Sequence, residues 1–358
     1  MAVSFLDELA RMRGDDLARA EYPWIGEVDV VVSPSVEQSL AEATSAELRP
    51  GVEQSRPWHA RRWAPVRRRY DVSFSVFGPE YAARRATRRI VGFADVRSIH
   101  GVPLGEPTGL GGRLRWRLRG VVSRRVVKRS DLVVVETSAL RDSMRSRGFR
   151  NHDIRVVPNT ISAVFAEART AATHSLPTGG ELVLAYVARP YPHKNFGFLT
   201  ELARFAREDH GVRVSYLLTA SEAEADEAAP GLAALAECVG VVPVRDLPNL
   251  YEKCDAVLFP SLLEAFSATP LEAMASGRPV FASDRDFVRA VCGDVPYYID
   301  PLDARTSAHV IAQAMGDPMA VARKVEAGRT LVDGIPSAQA RARAYCALIS
   351  EQLKVQHG

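Results

Sequence analysis

The sequence predicts an α/β protein of two domains, each built on a parallel β-sheet. Short apolar runs that end in turn residues alternate with amphipathic, helix-spaced segments, which is the pattern of β-α-β units. The pattern restarts after the Thr-, Gly- and Pro-rich stretch at 173–181, and the 358 residues are enough for two domains. We expect an N-terminal domain over 1–172, a C-terminal domain over 173–335, and a last segment over 336–358 whose helix crosses back to the first domain.

The elements of the first domain follow from local patterns. AVSFLDELARM has apolar residues at helical spacing, so the chain is expected to open on a helix. SDLVVVETSALRDSMRSRGF predicts a strand, a Thr/Ser cap and a helix that ends near Gly148. Other short apolar runs predict strands at 28–35, 70–81, 88–96 and 154–160.

The second domain shows the same alternation. Strands are predicted at 181–190 and 212–220, and an amphipathic helix at 198–208. Segments that join a helix to a strand are predicted at 232–242, 247–261 and 270–283, and a long helix at 336–354. The second domain is therefore expected to hold a parallel sheet of its own.

The composition excludes several classes of protein. With 47% hydrophobic and 25% charged residues, the chain is not disordered, collagen-like or a coiled coil. Its 4 cysteines form no CxxC pair, which argues against a zinc ribbon or a disulfide framework. No apolar run approaches the roughly 18 residues of a membrane span, and no secretory leader opens the sequence. We expect a cytoplasmic protein.

The net charge of +3 conceals a basic segment, 56–150, between two acidic ones. Within it, 112–130 predicts a helix with one apolar and one cationic face. One interpretation is an ordinary solvated face, and another is docking on the inner, anionic face of the cell membrane. Charge alone also suggests nucleic acid, but no nucleic-acid motif accompanies it, so none is expected as a partner. The membrane or acceptor face is predicted to comprise Arg113, Arg115, Trp116, Arg117 and Arg119.

Two carboxylates lie eight residues apart in PSLLEAFSATPLEAMASGRPV. One interpretation is a capping box, with Thr269 as N-cap and Glu272 three residues later. The other is a ligand site formed by Glu264 and Glu272, because parallel sheets bind ligands at the carboxyl ends of their strands and helix N-termini attract anions.

Two cations follow the first strand of the second domain, Arg189 and Lys194 in VARPYPHKN. In isolation such residues are usually solvated surface charges. At the same sheet edge as Glu264 and Glu272 they would form a clamp for a pyrophosphate.

Together these segments resemble the retaining family-4 glycosyltransferases, which have the GT-B fold of two Rossmann-like domains facing across a cleft. The Glu-x7-Glu motif is matched by Glu264 and Glu272, and the Arg and Lys after the strand by Arg189 and Lys194. The Pro-Asn at the domain crossing is matched within VVPNT at 156–160. The block from 70 to 96 is similar to the bacterial surface-polysaccharide branch of the family.

The resemblance implies a role for each of these residues. Glu272 would hold the ribose of a nucleoside-diphosphate sugar and Glu264 would contact the transferred sugar. Arg189 and Lys194 would neutralise the departing diphosphate. The anomeric configuration would be retained, and the resemblance implies that no metal or other cofactor is needed. The donor would be lined by the backbone of Phe266, Ser267, Ala268 and Thr269. His100 would lie near the transferred sugar.

The sequence departs from the family at several positions. Ala265 and Ser267 stand where the family usually has Gly, which is tolerated if their φ angles are negative. Ala188 and Thr160 also replace a common Gly. The family begins with a strand, whereas this sequence begins on a helix, so we expect the first strand to be absent from it.

The expected function is transfer of a sugar to a hydroxyl of a saccharide or lipid-linked acceptor in cell-surface polysaccharide or glycolipid biosynthesis. One alternative is a natural-product glycosyltransferase. Another is a non-catalytic protein that binds a nucleotide sugar or serves as a scaffold.

Overall fold

A computed structural model describes residues 2–28, 30–32, 52–54, 69–76, 85–96, 99, 110–150, 152–167, 176–177 and 180–357. The chain divides into two compact units. Unit 1 contains the described residues up to 95, 118–160 and those from 336 onward, and unit 2 is mainly 161–335. The predicted domain border at 172–173 lies outside the described residues.

Unit 1 begins with a helix, as the sequence predicts, and contains a four-stranded parallel sheet. The sheet order is β3-β4-β5-β6, and β1 and β2 form a separate parallel pair. The elements are α1 (Ala2–Gly14), α2 (Asp16–Glu21), β1 (Val30–Val32), β2 (Val52–Gln54), β3 (Arg69–Ser75), β4 (Arg85–Gly92), α3 (Leu110–Val127, of which 118–127 belong to unit 1), β5 (Leu132–Val135), α4 (Ser138–Ser146) and β6 (Asp153–Val156).

The last helix of the chain packs into the core of unit 1. Aromatic rings make this contact: Tyr345 lies 5.2 Å from Phe5 of α1 and 5.0 Å from Phe74 of β3, measured between ring centroids. The Trp24 indole N–H donates to the hydroxyl of Ser350 at 2.8 Å. The helix, α13 (Ala338–His357), is therefore part of the same hydrophobic core as α1.

Unit 2 contains a sheet of six strands, all parallel to their neighbours. Its strands are β7 (Glu181–Tyr186), β8 (Arg213–Leu218), β9 (Ala236–Cys238), β10 (Ala256–Phe259), β11 (Val280–Ser283) and β12 (Tyr297–Ile299). Its helices are α5 (Val164–Glu167), α6 (Gly197–His210), α7 (Glu222–Ala228), α8 (Leu247–Glu252), α9 (Thr269–Ala275), α10 (Asp286–Cys292), α11 (Ala304–Met315) and α12 (Pro318–Asp333).

The strand order of unit 2 is β9-β8-β7-β10-β11-β12. The chain adds two strands on one side of β7 and then three on the other. This is the Rossmann order, and in such sheets a ligand crevice opens beside the carboxyl ends of the two strands where the order reverses. Those strands are β7 and β10, so the loops after them are where a site is expected.

Several elements of unit 2 are not predicted by the sequence. The segment at 232–242, expected to run from a helix into a strand, contains only a short 3-10 turn before β9. Helices α7, α11 and α12 carried a detectable signal, because Ser221, Asp303 and Asp317 cap them through their side chains. Such caps before apolar-periodic segments are the usual mark of a helix start.

Candidate functional site

The loops that follow β7 and β10 are bonded to each other. The backbone N–H of Leu262 donates to the carbonyl of His193 at 2.8 Å. The side-chain amide of Asn195 donates to the carbonyls of Pro301 at 2.8 Å and Pro260 at 3.3 Å. Asn195 takes a left-handed conformation with φ 62°, which ends the 3-10 turn Pro192–Lys194 and directs the chain into α6. These bonds fix the geometry of the loops at the switch point.

Lys194 and Glu264 form an ion pair at this point. The Nζ–Oε1 distance is 2.5 Å, and the two side chains are only 15% and 14% exposed. The buried hydroxyl of Tyr186, at the end of β7, donates to the Lys194 carbonyl at 2.6 Å. The ammonium also lies 5.6 Å from the centroid of the Phe259 ring at the end of β10. The two strand ends thus bring together a cation and a carboxylate that are 70 residues apart in sequence.

Arg189 lies on the same loop but is exposed. Its positive charge acts on Glu224 of α7, whose pKa is lowered first by hydrogen bonds from Ser221 and then by Arg189. The structure therefore places Arg189 on the loop the sequence predicts, and Lys194 in the pair with Glu264.

The turn between Glu264 and α9 is built without glycine. Among the described residues other than glycine, Asn195 is the one with a positive φ, so Ala265 and Ser267 meet the condition of negative φ. Ala265 is buried, whereas Phe266, Ser267 and Ala268 are half-buried. Three consecutive residues of this turn are thus partly accessible beside the Lys194–Glu264 pair.

The capping-box interpretation of this helix start is wrong. The N-cap of α9 is Ala268, and no side chain caps the helix. The Thr269 hydroxyl donates instead to the carbonyl of Val187, just past β7, at 3.4 Å. The Thr269 hydroxyl thus bonds to the end of the sheet instead of capping α9, and the Glu272 side chain is not part of a capping box.

Glu272 is buried in the first turn of α9, with 9% of its surface exposed. The hydroxyl of Tyr251, on α8, donates to its Oε2 at 3.3 Å. Burial raises the pKa of Glu272 to about 7, and the hydrogen bond from Tyr251 opposes that rise. Tyr251 was not predicted as a site residue, since nothing in the spacing of LPNLYEKCDAVLFPS shows that its side chain reaches a carboxyl 21 residues away.

The arrangement suits a ligand with both anionic and hydroxyl groups. Lys194 supplies a positive charge, and the carboxylates of Glu264 and Glu272 accept hydrogen bonds from hydroxyls. Partial burial strengthens each of these interactions relative to water. Within the described part of the chain, no three His, Cys, Asp or Glu side chains gather as a metal site would require.

A groove of about 1000 Å³ lies at the opposite edge of the same sheet. Its lining includes Glu181, Arg213 and Ala236, the first residues of β7, β8 and β9. Because sheets of this order bind their ligands at the carboxyl ends of the strands, the groove is a less suitable site than the loops after β7 and β10.

The predicted basic face falls on α3. Arg117 is exposed, while the side chains of the remaining predicted residues lie outside the described residues: Arg113, Arg115, Trp116 and Arg119. His100, predicted near the sugar, also lies outside them. Two apolar side chains in the first part of α3 are exposed, since Leu114 is 60% and Leu118 58% exposed, whereas Val127 at its end is buried. No helix in the described ranges has the length and apolar character needed to cross a membrane.

Comparison with known proteins agrees with the fold. A parallel sheet in Rossmann order defines a broad class of α/β proteins whose ligands bind at the switch point. Residues 181–317 match the family model described as Glycosyl transferases group 1, and residues 12–160 match the Glycosyl transferase 4-like domain. The chain belongs to the group 1 glycosyltransferases, and its two parallel-sheet units are those of the GT-B fold.

Among similar proteins is the O-antigen chain mannosyltransferase RfbU of Salmonella typhimurium, 24% identical over 55% of this chain and 54% of that protein. The 2-deoxystreptamine glucosyltransferase of Streptomyces kanamyceticus is 25% identical over 67% of this chain and 66% of its own. The solved sucrose-phosphate synthase of Thermosynechococcus elongatus has a TM-score of 0.59 and 20% identity, over 75% of this chain and 68% of that one. The chain thus spans about half the length of the Salmonella relative.

Proposed function

We propose that this protein transfers a sugar from a nucleoside-diphosphate sugar to an acceptor hydroxyl, with retention of the anomeric configuration. The observation that carries the proposal is the Lys194–Glu264 pair, held at 2.5 Å at the switch point of unit 2. A diphosphate needs a cation at this place and a sugar needs hydrogen-bond acceptors. The buried carboxyl of Glu272 adds an acceptor for the ribose.

The chemistry follows from these charges. The bond between the anomeric carbon and the diphosphate oxygen breaks, and a new bond to the acceptor oxygen forms on the same face of the sugar. The acceptor proton passes to the departing diphosphate. Lys194, assisted by Arg189, would stabilise the charge on the leaving group, and Glu264 would orient the sugar through its hydroxyls.

The biological setting that we favour is cell-surface polysaccharide assembly, supported by the likeness to the Salmonella O-antigen mannosyltransferase. A natural-product acceptor is the second candidate, because the Streptomyces 2-deoxystreptamine glucosyltransferase is comparably similar. The two candidates are separated by incubating the purified protein with one set of donors and either polyprenyl-linked saccharides or aminocyclitols, and measuring which acceptor receives a sugar.

The transfer itself is tested by release of free nucleoside diphosphate over a panel of donor sugars. We expect Lys194→Ala and Glu264→Gln each to reduce kcat/KM by at least about 100-fold, since each removes a group acting on the transition state. Lys253→Ala, an exposed lysine near the opposite edge of the same sheet, is the matched control. Donor binding without turnover in the wild type would instead support a non-catalytic role.

We also propose that α3 docks on an anionic membrane, where a lipid-linked acceptor would be held. The exposed Leu114 and Leu118 lie four residues apart, hence on one face, and Arg117 lies between them in sequence. We expect Leu118→Glu to abolish co-sedimentation with vesicles containing phosphatidylglycerol. Leu17→Glu, at an exposed leucine of α2, should leave it unchanged. Binding that ignores both lipid charge and salt contradicts this proposal.

A further inference from the structure

We infer that Tyr251 is a positioning residue for Glu272, holding one carboxyl oxygen so that the other receives the ribose hydroxyls of the donor. This inference rests on the proposed function. The role of Tyr251 is additional to the proposed function, because Tyr251 lies on α8 rather than on α9 and is itself fully buried. Tyr251 therefore does not contact the ligand but acts through Glu272.

The hydrogen-bonding of the Glu272 carboxyl carries the inference. Oε2 accepts a hydrogen bond from the Tyr251 hydroxyl at 3.3 Å, whereas Oε1 has no hydrogen bond within the described part of the chain, and Glu272 keeps 9% of its surface exposed. Among the described residues, no cation contributes to the pKa of Glu272, which burial and the Tyr251 hydroxyl set. A carboxyl buried to this extent, with one oxygen tethered and the other unused, is suited to accept hydroxyls from a ligand.

Tyr251 is itself held in place by its surroundings. Its ring packs against Phe165 of α5, with 6.0 Å between the centroids. The thiol of Cys254 donates to its backbone carbonyl at 3.3 Å. Because the ring is fixed by packing, replacing Tyr251 with Phe removes the hydroxyl and leaves the packing in place.

The electrostatic neighbours of Glu272 are few. Tyr251 on α8 is the titratable group that acts on its carboxyl. On α12, which packs on α9, the guanidinium of Arg329 lies against Gly277, beyond the far end of α9. The hydrogen bond from Tyr251 favours the ionised carboxyl, so its loss raises the pKa of Glu272. As the pH is lowered, the carboxyl of Glu272 is then protonated at a higher pH in a variant without the Tyr251 hydroxyl than in the wild type. Affinity for a ribose that needs the carboxylate should be lost at that higher pH.

The test is binding of UDP, GDP and ADP by isothermal titration calorimetry at pH 6 to 9, each compared with its 2′,3′-dideoxy form and with inorganic pyrophosphate. For the nucleotide that the wild type binds, we expect Tyr251→Phe to weaken binding roughly tenfold. We expect the midpoint of its pH dependence to move upward. Binding of the dideoxy form and of pyrophosphate should be the same in wild type and variant, a selectivity that a merely structural role would not produce.

Tyr216→Phe is the matched control, because this buried hydroxyl donates to the Leu199 carbonyl at 2.7 Å on another part of unit 2. It should leave nucleotide binding unchanged, and thermal unfolding of both variants reports whether they fold. Equal loss of affinity for ribose and dideoxy ligands, or no loss for either, overturns the role of Tyr251 while leaving the proposed function intact. Failure of the wild type to bind any of the three nucleotides overturns both.

Discussion

The two units each place a buried glutamate beyond a strand, and these glutamates have different partners. In unit 1, Glu136 follows β5 directly and pairs with Arg341 of α13, with 3.3 Å between Oε1 and Nη2. In unit 2, Glu272 stands in the first turn of α9 and accepts a hydrogen bond from Tyr251. Burial raises the pKa of both carboxyls to about 7, opposed by Arg341 in the first and by the Tyr251 hydroxyl in the second.

The difference separates a structural charge from one available to a ligand. The Glu136 charge is compensated inside the fold, because Arg341 is itself buried and also donates to the Tyr345 hydroxyl at 2.7 Å. Glu272 has a neutral partner and one oxygen left over. Keeping an uncompensated carboxyl buried is unfavourable for stability, and such groups concentrate at functional sites.

The largest expected effect is on the Glu136 side of the comparison. Glu136→Gln leaves the Arg341 guanidinium buried without its counter-charge. We expect the free energy of unfolding to fall by about 3 kcal/mol in urea denaturation followed by circular dichroism. The double variant Glu136→Leu with Arg341→Met should recover most of the loss, because no charge is then left unpaired. A single variant as stable as the wild type would show that the pair does not hold α13.

The second effect is on the pH dependence of stability. The folded pKa of Glu272, about 7, lies above the ordinary value of 4.5, so the folded state binds the proton more tightly than the unfolded chain does. The resulting stabilisation is complete below pH 4.5 and is lost as the pH rises through 7. Between pH 5 and 8, Glu272 should lower the free energy of unfolding of the wild type by about 2.5 kcal/mol, and we expect this contribution to be absent in Glu272→Gln. Parallel stability curves for variant and wild type would refute the raised pKa.

The third effect concerns ligand binding and distinguishes the two glutamates directly. Glu272→Gln should weaken binding of the nucleoside diphosphate about tenfold, equivalent to about 1.4 kcal/mol, because an amide accepts fewer hydroxyls than a carboxylate. Its stability at pH 7 should not fall below that of the wild type. Glu136→Gln should show the reverse, with affinity unchanged at a temperature where the variant is folded. Calorimetric titration of both proteins measures the contrast.

The smallest effect concerns the threonines beside the two glutamates. Thr137 caps α4 by accepting the Leu140 N–H at 3.2 Å, whereas the Thr269 hydroxyl donates to the Val187 carbonyl at 3.4 Å. Thr137→Val should lower the free energy of unfolding by about 1 kcal/mol, as loss of an N-cap does. Thr269→Val, which keeps the shape of the side chain, should cost about half as much or less. Equal losses would mean that Thr269 is bonded more strongly than its geometry indicates.

The same pair of threonines shows where sequence prediction succeeds and fails. Both stand at the start of a helix, and the local pattern predicts an N-cap for each. The prediction is confirmed for Thr137. It is wrong for Thr269, because the end of β7 offers its hydroxyl a carbonyl acceptor from a strand more than 80 residues away. Local patterns cannot represent such a competitor.

Some residues of the candidate site could be predicted from the sequence and one could not. Glu264, Glu272, Arg189 and Lys194 were found from motif spacing, and the strand order explains why two distant loops meet. The roles assigned to these residues remain predictions. Tyr251 could not be found this way, because it reaches Glu272 through a contact between helices and leaves no periodic signal in the sequence.

The sequence by itself determined the α/β class, most of the strands and the two loops that carry charged residues, because apolar runs and turn residues are local signals. The tertiary structure alone decided which partner each charge received. Glu136 meets Arg341 across 205 residues and Glu272 meets Tyr251 across 21, and both choices depend on how helices pack on sheets. Packing therefore decides which buried glutamate is neutralised within the fold and which keeps an oxygen free for a ligand.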